Sequence, residues 1–220
     1  MIIVKNLTKN FVRNTQRFDA VHDVSFHVKE GEFAAVIGHS GSGKTTLFNM
    51  IAGLTKPTAG KILIHGSDLT QMSDKQQATF RNQNIGYVLQ GQSLLNNFTI
   101  LDNICMPAYF SSTIDIFRER ALQLLNEIGL EELAKEYPSN LSGGEMRRVS
   151  IVRAMMNHPK VILADEPTSN LDPENSHKVM QMLKDISQKG TTVLLSTHEL
   201  EYLDYVDSVF KMSKGNLMDS

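Results

Sequence analysis

The stretch from Glu32 to Gly53 constrains the fold of this chain more than any other. An apolar run, Glu32 to Ile37, passes directly into Gly38-His39-Ser40-Gly41-Ser42-Gly43-Lys44, and Thr45 to Ala52 continues with helical character until Gly53 stops it. Strand, glycine loop and helix in that order are the setting of a P-loop. The same rhythm returns late in the chain, with a strand at Val161 to Ala164, a helix at Pro173 to Gln188 carrying Val179, Met182, Leu183 and Ile186 on one face, and a strand at Thr192 to Ser196. Such alternation implies a parallel sheet covered by helices.

Other segments depart from that rhythm. Ile2 to Lys5 and Val21 to Val28 read as strands separated by the polar segment Arg13 to Arg17, a hairpin-like β subdomain. Lys61 to Ile64 and Ile85 to Leu89 are further strands, whereas Ile100 to Asn157 has almost no strand signal. There Ala121, Leu124, Leu125 and Ile128 fall on one helical face, and Gly129 suits a C-cap. The expected fold class is α/β: a P-loop NTPase core with a mainly parallel sheet, an N-terminal antiparallel β subdomain and an inserted α-helical subdomain. All of 1–220 forms a single domain in this reading, with the insertion at about 91–157.

Several residues carry chemistry. Gly38-x-x-x-x-Gly43-Lys44-Thr45 has the Walker A spacing, in which glycines let backbone N–H groups approach phosphate oxygens, Lys44 bridges the β- and γ-phosphates and Thr45 ligates Mg²⁺. The helix beginning near Lys44 adds its positive dipole end. Val161 to Ala164 ends in Asp165-Glu166, which puts two carboxylates where open α/β sheets bind ligands. Asp165 can organise Mg²⁺, directly or through water, and Glu166 is aimed to polarise the water that attacks a γ-phosphate. A lone Asp-Glu pair would read as a solvated acidic turn; the strand and the P-loop favour the functional reading. Gln90 and His198 each follow a strand, so both can reach the γ-phosphate edge, although either alone would pass for a turn residue.

Leu141-Ser142-Gly143-Gly144-Glu145 is a second phosphate-binding device. Ser142 and Glu145 have capping-box spacing before a helix through Arg147, Val152 and Met155. Two glycines at a helix start leave N–H groups uncovered, and these attract phosphate. Since the chain's own P-loop already cradles its nucleotide, this second site best serves the nucleotide of another copy.

Composition excludes other classes. The 220 residues are 41% hydrophobic, enough to bury a core, yet the apolar runs fall far short of a span, which takes about 20 residues. The start Met1-Ile2-Ile3-Val4-Lys5 lacks the layout of a signal peptide, so a cytosolic protein without direct membrane insertion is expected. Cys105, the single cysteine, excludes an internal disulfide and a Cys-rich zinc site. The net charge of −2, from 22 basic and 24 acidic residues intermixed, lacks the basic stripe of a nucleic-acid binder. The seven histidines show no metal-ligand spacing.

Walker A at 38 to 46, Gln90 as Q-loop, the signature at 141 to 144, Walker B at 161 to 166, Ser169-Asn170-Leu171-Asp172 as D-loop and His198 as switch occur in the order of the ATP-binding cassette (ABC) ATPases. The chain resembles that family over essentially its whole length. Gly86 to Gln90 followed by Leu94-Leu95-Asn96-Asn97-Phe98-Thr99 is similar to the lipoprotein-releasing, macrolide-efflux and cell-division branch, whose ATPases drive membrane partners that transmit force. The resemblance implies an ATPase whose ATP lies against Gly38, His39, Ser40, Gly41, Ser42, Gly43, Lys44, Thr45 and Thr46. It implies Mg²⁺ at Thr45, Gln90 and Asp165, and catalysis by Glu166, His198, Gln90 and Lys44. It further implies a head-to-tail homodimer on ATP binding, with Ser142, Gly143 and Gly144 of one copy on the γ-phosphate held by Lys44 of the other.

Asp172 would align that interface, although a plain N-cap before Pro173 is equally well supported. Adenine would stack on Phe11, with Phe18 the alternative. The implied partner is an integral membrane permease of the FtsX/MacB-like type, which would hold the protein on the inner face of the cell membrane. The segment after Gln90 and the helical block would dock that permease's cytoplasmic helix. His39 for Pro, Met146 for Gln and Glu199 for Asp depart from the family pattern without removing a catalytic atom. Chromosome and DNA-repair cassettes need heptad arms that are missing between Thr46 and Leu141, and translation-associated twin cassettes need two copies in one chain. A non-hydrolysing scaffold subunit is the other reading, which loss of Mg²⁺-dependent phosphate release in Glu166→Gln would separate.

Overall fold

The computed structural model describes residues 1–13, 16–91, 93–109 and 114–218, except the side chains of Arg13 and residues 114–116. The chain opens with β1 (Ile2–Arg13) and β2 (Gln16–Val28), an antiparallel pair that continues well past the expected strands. Register shifts between Val4 and Asn10, with Asn6 at φ 48°, break the two-residue period, which is why the sequence pattern fades after Lys5. Residues 14 and 15, in the expected polar segment, lie outside the described residues.

β3 (Phe33–Ile37) leads through the glycine loop into α1 (Lys44–Ile51), with Ala52 as C-cap and Gly53 at φ +64°. Next come β4 (Ala59–Ile64) and β5 (Ser67–Asp68), which complete a four-stranded antiparallel sheet in the order β2-β1-β4-β5. α2 (Asp74–Asn84) precedes β6 (Ile85–Val88); Leu89, expected in the strand, lies just beyond it and is exposed.

Residues 91–157 hold α3 (Ile100–Cys105), α4 (Ile114–Glu127) and α5 (Gly143–Met155), with short 3₁₀ turns at Met106–Ala108, Glu131–Lys135 and Pro138–Asn140. They bury a core of their own around Ile100, Ile104, Ala121, Leu125, Val149 and Val152. β7 (Val161–Asp165), α6 (Pro173–Gln188) and β8 (Thr192–Thr197) restore the alternation. On α6 the buried face is Val179, Met180, Leu183 and Ile186; Met182, expected on that face, is only partly buried, and Met180 takes its place. β9 (Ser208–Ser213) and β10 (Asn216–Leu217) close the chain.

The second sheet runs β10-β9-β3-β8-β7-β6. Pairing from β9 through β6 is parallel, and only β10 turns back antiparallel. One face packs with α1 and the antiparallel sheet around Phe48, Leu47, Val36 and Leu163; the other packs with α6 around Phe33, Ile162, Leu183 and Leu195. Adjacent parallel strands β3, β8, β7 and β6 finish at one sheet edge, where ligands of open α/β sheets collect. Among the described residues no helix is long and apolar enough to cross a membrane.

Candidate functional site

Each of those four strands delivers one polar side chain just past its C-terminal end. Lys44 follows β3 by way of the glycine loop, His198 follows β8, Glu166 follows β7 and Gln90 follows β6. They meet at a cavity of about 680 Å³ that is also lined by His39, Ser40, Gly41, Gly43, Thr45 and Thr46. Of the P-loop residues named from sequence, Gly38 and Ser42 shape the loop without lining this cavity. A Cβ on Gly43, whose φ is +105°, would meet Ala20 O at 2.2 Å, so only glycine fits where the loop turns into α1. The start of α1 has no side-chain cap and no acidic residue in its first turn, which leaves its N–H groups and positive dipole end to the cavity.

Glu166 is the hub. Gln90 Nε2 donates to its Oε2 at 2.8 Å, while Lys44 Nζ stands 3.4 Å and His198 Nδ1 3.6 Å from its Oε1. Lys44 is 4% exposed and also donates to the carbonyls of Gly38 (2.7 Å) and His39 (3.3 Å), so its charge is buried but fully engaged. Glu166 sits at φ 47°, a backbone state that a side chain larger than glycine adopts at a cost of about 1–3 kcal/mol. Its N–H donates to Ser196 O (3.1 Å) and Oγ (3.0 Å), and its carbonyl accepts from Ser169 Oγ (2.9 Å), which hold the strained turn and aim the carboxylate at the cavity.

Asp165 lies under the cavity rather than on its wall, 1% exposed, with Oδ1 accepting from Ser196 Oγ at 2.5 Å. Burial, and then the charge of Asp165, push the Tyr87 phenol well above its ordinary range; its hydroxyl donates to Asn49 at 3.1 Å. Thr45, Gln90 and Asp165 offer oxygen donors only, the set Mg²⁺ favours. Gln90 spends its Nε2 on Glu166, which leaves its amide oxygen without a described partner, and the donor set therefore fits the ion.

Phe18 lines the cavity, and Phe11, its cross-strand partner, stacks behind it with ring centroids 5.9 Å apart. Asp172 is the N-cap of α6: Oδ1 accepts from Asn175 N–H at 3.0 Å and Oδ2 from Asn175 Nδ2 at 2.6 Å, bonds that hold its carboxyl below the usual carboxylate range.

Ser142, Gly143 and Gly144 line no part of the cavity that holds Lys44. Ser142 caps α5 in a full capping box: its Oγ accepts from Glu145 N–H, and its own N–H and Oγ–H donate to Glu145 Oε2 at 2.8 and 2.7 Å. Those two bonds hold the Glu145 carboxyl below its ordinary value. The N–H groups of Gly143 and Gly144 have no described acceptor. A Cβ on Gly144 would meet Asn175 Oδ1 at 2.3 Å, so the signature turn packs directly on the start of α6.

Sequence reasoning passed over three contributors. Ser196, fully buried, grips both Asp165 and Glu166; a polar pair Ser196-Thr197 ending an apolar strand was its signal. Lys214 and Gly215, in the turn between β9 and β10, also line the cavity. Gly215 N–H donates to Ser42 O (2.9 Å) and Gly215 O accepts from His22 N–H (2.8 Å), tying the glycine loop to β2.

A parallel sheet that brings an ammonium, a carboxylate, an amide and an imidazole to one glycine-loop cavity defines a P-loop nucleoside triphosphatase. The profile of the family described as "ABC transporter" matches residues 21–169, and the chain belongs to that family as a nucleotide-binding ATPase cassette. A second profile, "AAA domain, putative AbiEii toxin, Type IV TA system", matches residues 137–204. Over 219 residues the chain is 37% identical to the macrolide export ATP-binding/permease protein MacB of Chlorobaculum tepidum, a match covering 100% of the chain and 34% of that relative. The chain thus spans about a third of the length of that relative.

Among solved structures, the ATP-binding cassette MJ0796 in a dimeric post-hydrolysis state bound to ADP and Pi superposes with a TM-score of 0.92 at 35% identity, covering 100% of this chain and 97% of that one. The cbiO1 protein of Clostridium perfringens, described as part of the ABC transporter complex cbiONQ, gives 0.87 at 30% identity, covering 99% and 86%.

Proposed function

We propose that this cassette hydrolyses Mg²⁺–ATP as a head-to-tail dimer and turns the closure of that dimer into movement of a membrane permease, in the manner of the lipoprotein-releasing, macrolide-efflux and cell-division branch. The observation that carries the reading is the convergence of Lys44, Gln90 and His198 on Glu166 at the mouth of the glycine-loop cavity. Lys44 and the N–H groups of the loop and of α1 bind the triphosphate. Glu166 takes up the proton of the attacking water, and Gln90 and His198 orient that water and the γ-phosphate. Bound at Thr45, Gln90 and Asp165, Mg²⁺ supplies charge neutralisation for the phosphates. Steady-state phosphate release by the purified chain, alone and with its permease, tests this; absence of release in both settings would overturn it.

Phe18 with Phe11 behind it offers adenine an aromatic step. Phe18→Ala is expected to weaken ATP binding by roughly tenfold, in line with about 1–3 kcal/mol per stacked base, and Phe11→Ala by less. Titration of a fluorescent ATP analogue decides the order, and a larger loss in Phe11→Ala would return the contact to Phe11.

The γ-phosphate of one copy meets Ser142, Gly143 and Gly144 of the other, as the exposed Ser142 and Gly143 and the unspent N–H groups of α5 permit. For the permease, a groove of about 660 Å³ between α2 and α5 is lined by Tyr87, Met106, Pro107, Arg81 and Arg153 and, among the described residues, by no carboxylate, which suits a cytoplasmic helix bearing an acidic side chain. Arg153 also donates to Ser93 O and Oγ at 2.8 Å, so the segment carrying the exposed Leu95 and Phe98 borders this groove. The double variant Leu95→Asp/Phe98→Asp is expected to lose co-purification with the permease in detergent while keeping ATP binding; unchanged co-purification would sink the docking assignment. Such docking would hold the protein on the cytoplasmic face of the membrane.

A further inference from the structure

His198 stands beside Glu166 without being fastened to it. Its imidazole is half exposed, its Nδ1 is 3.6 Å from Glu166 Oε1, and no hydrogen bond holds the ring among the described residues. Its position is therefore inherited from the turn that follows β8. Glu199, the next residue, pins that turn twice: its N–H donates to Thr197 Oγ1 at 3.0 Å, and its Oε2 accepts from Thr168 Oγ1. Thr168 is 2% exposed and lies two residues beyond Glu166, inside the turn closed by Ser169 N–H on Glu166 O (3.2 Å) and Leu171 N–H on Thr168 O (3.1 Å). A buried hydroxyl and a carboxylate thus join the turn that carries Glu166 to the turn that carries His198, beyond the last pairing of β7 with β8 at Asp165 and Ser196.

We propose that Glu199 is a positioning residue for hydrolysis: through Thr168 it sets the placement of His198 relative to Glu166, and with it the start of the Ser169–Asp172 loop. The inference rests on the reading that Glu166 and His198 act on the γ-phosphate. A carboxylate accepting a buried hydroxyl is a strong and directional link. Its loss leaves both turns in place, since the sheet still holds Asp165 and Ser196, but lets His198 and Glu166 drift apart. Misplacement by a fraction of an ångström costs rate before it costs binding.

The test uses Thr168→Val, which keeps the shape and removes the donor. Its kcat is expected to fall about tenfold with KM for ATP within about twofold of native. Thr168→Ser, which restores the hydroxyl, recovers the rate, and Glu199→Ala reproduces the loss. The double variant Thr168→Val/Glu199→Ala is no slower than either single one, because both changes remove one bond. A native kcat in Thr168→Val, a Thr168→Ser as slow as Thr168→Val, or multiplied losses in the double variant would overturn the proposal. Glu166→Gln in the same assay separates the two levels: native turnover there refutes the reading of the site, whereas a dead Glu166→Gln beside a native Thr168→Val refutes the positioning role alone.

Discussion

Glu166→Gln is expected to lower steady-state ATP hydrolysis by at least about 100-fold, the lower range of what a positioned general base contributes, while ATP binding stays intact or tightens. The amide keeps the size of the carboxylate and an oxygen toward Lys44, so the buried ammonium retains a partner and the fold retains its stability. What disappears is the group proposed to accept the proton. The negative charge beside Lys44 disappears as well, and with it the repulsion that a γ-phosphate meets on entering the same space. A generic defect would weaken binding and activity together; here they part. Phosphate release and titration of a fluorescent ATP analogue on the same preparation check this, with gel filtration in ATP showing an accumulated dimer. Turnover above about a tenth of native would remove Glu166 from the role of base.

That residue was legible in the sequence because everything that specifies it is local: an apolar run, then Asp165 and Glu166 at its end. The P-loop and the Ser142–Glu145 capping box are legible for the same reason. What escaped depends on contacts between distant segments, or on elements whose hydrophobic period is weak. α2 buries only Gln77, so it has no apolar stripe; it is specified instead by a capping box between Ser73 and Gln76, a spacing that is readable once sought. In β9 only Met212 is fully buried, because the strand lies toward the sheet margin with the two-residue β10 outside it, so its apolar pattern is weak. The sequence puts Phe11 before Phe18 as the adenine platform; the two pair across β1 and β2, and only the placement of that pair against the glycine loop brings Phe18 rather than Phe11 to the cavity wall. The Thr168–Glu199 link joins residues separated in the chain by α6 and β8, and no spacing rule could announce it. Glu199 did stand out as a departure from the family's Asp, which marked the position without explaining it.

Ser142→Arg is the sharper test of the second phosphate device, and it is expected to abolish hydrolysis while leaving ATP binding by the single chain within about twofold of native, as for sites without shared partners. Ser142 is exposed, lines no part of the cavity that holds Lys44, and among the described residues its side chain hydrogen-bonds within its own helix, to Glu145. Within one chain the substitution therefore costs the cap of α5, about 1 kcal/mol, and nothing at the P-loop. Between two chains it sets a long guanidinium where the N–H groups of Gly143 and Gly144 would meet a γ-phosphate, and closure fails on steric grounds. Ser142→Ala would remove the cap but leave those N–H groups open, so its hydrolysis falls only in part. Placing Ser142→Arg in the Glu166→Gln background isolates closure from chemistry: the ATP-bound dimer trapped by Glu166→Gln should revert to a monomer on gel filtration. Persistence of that dimer, or tenfold weaker ATP binding by the Ser142→Arg monomer, would move the signature turn from the neighbouring copy's nucleotide back to the chain's own.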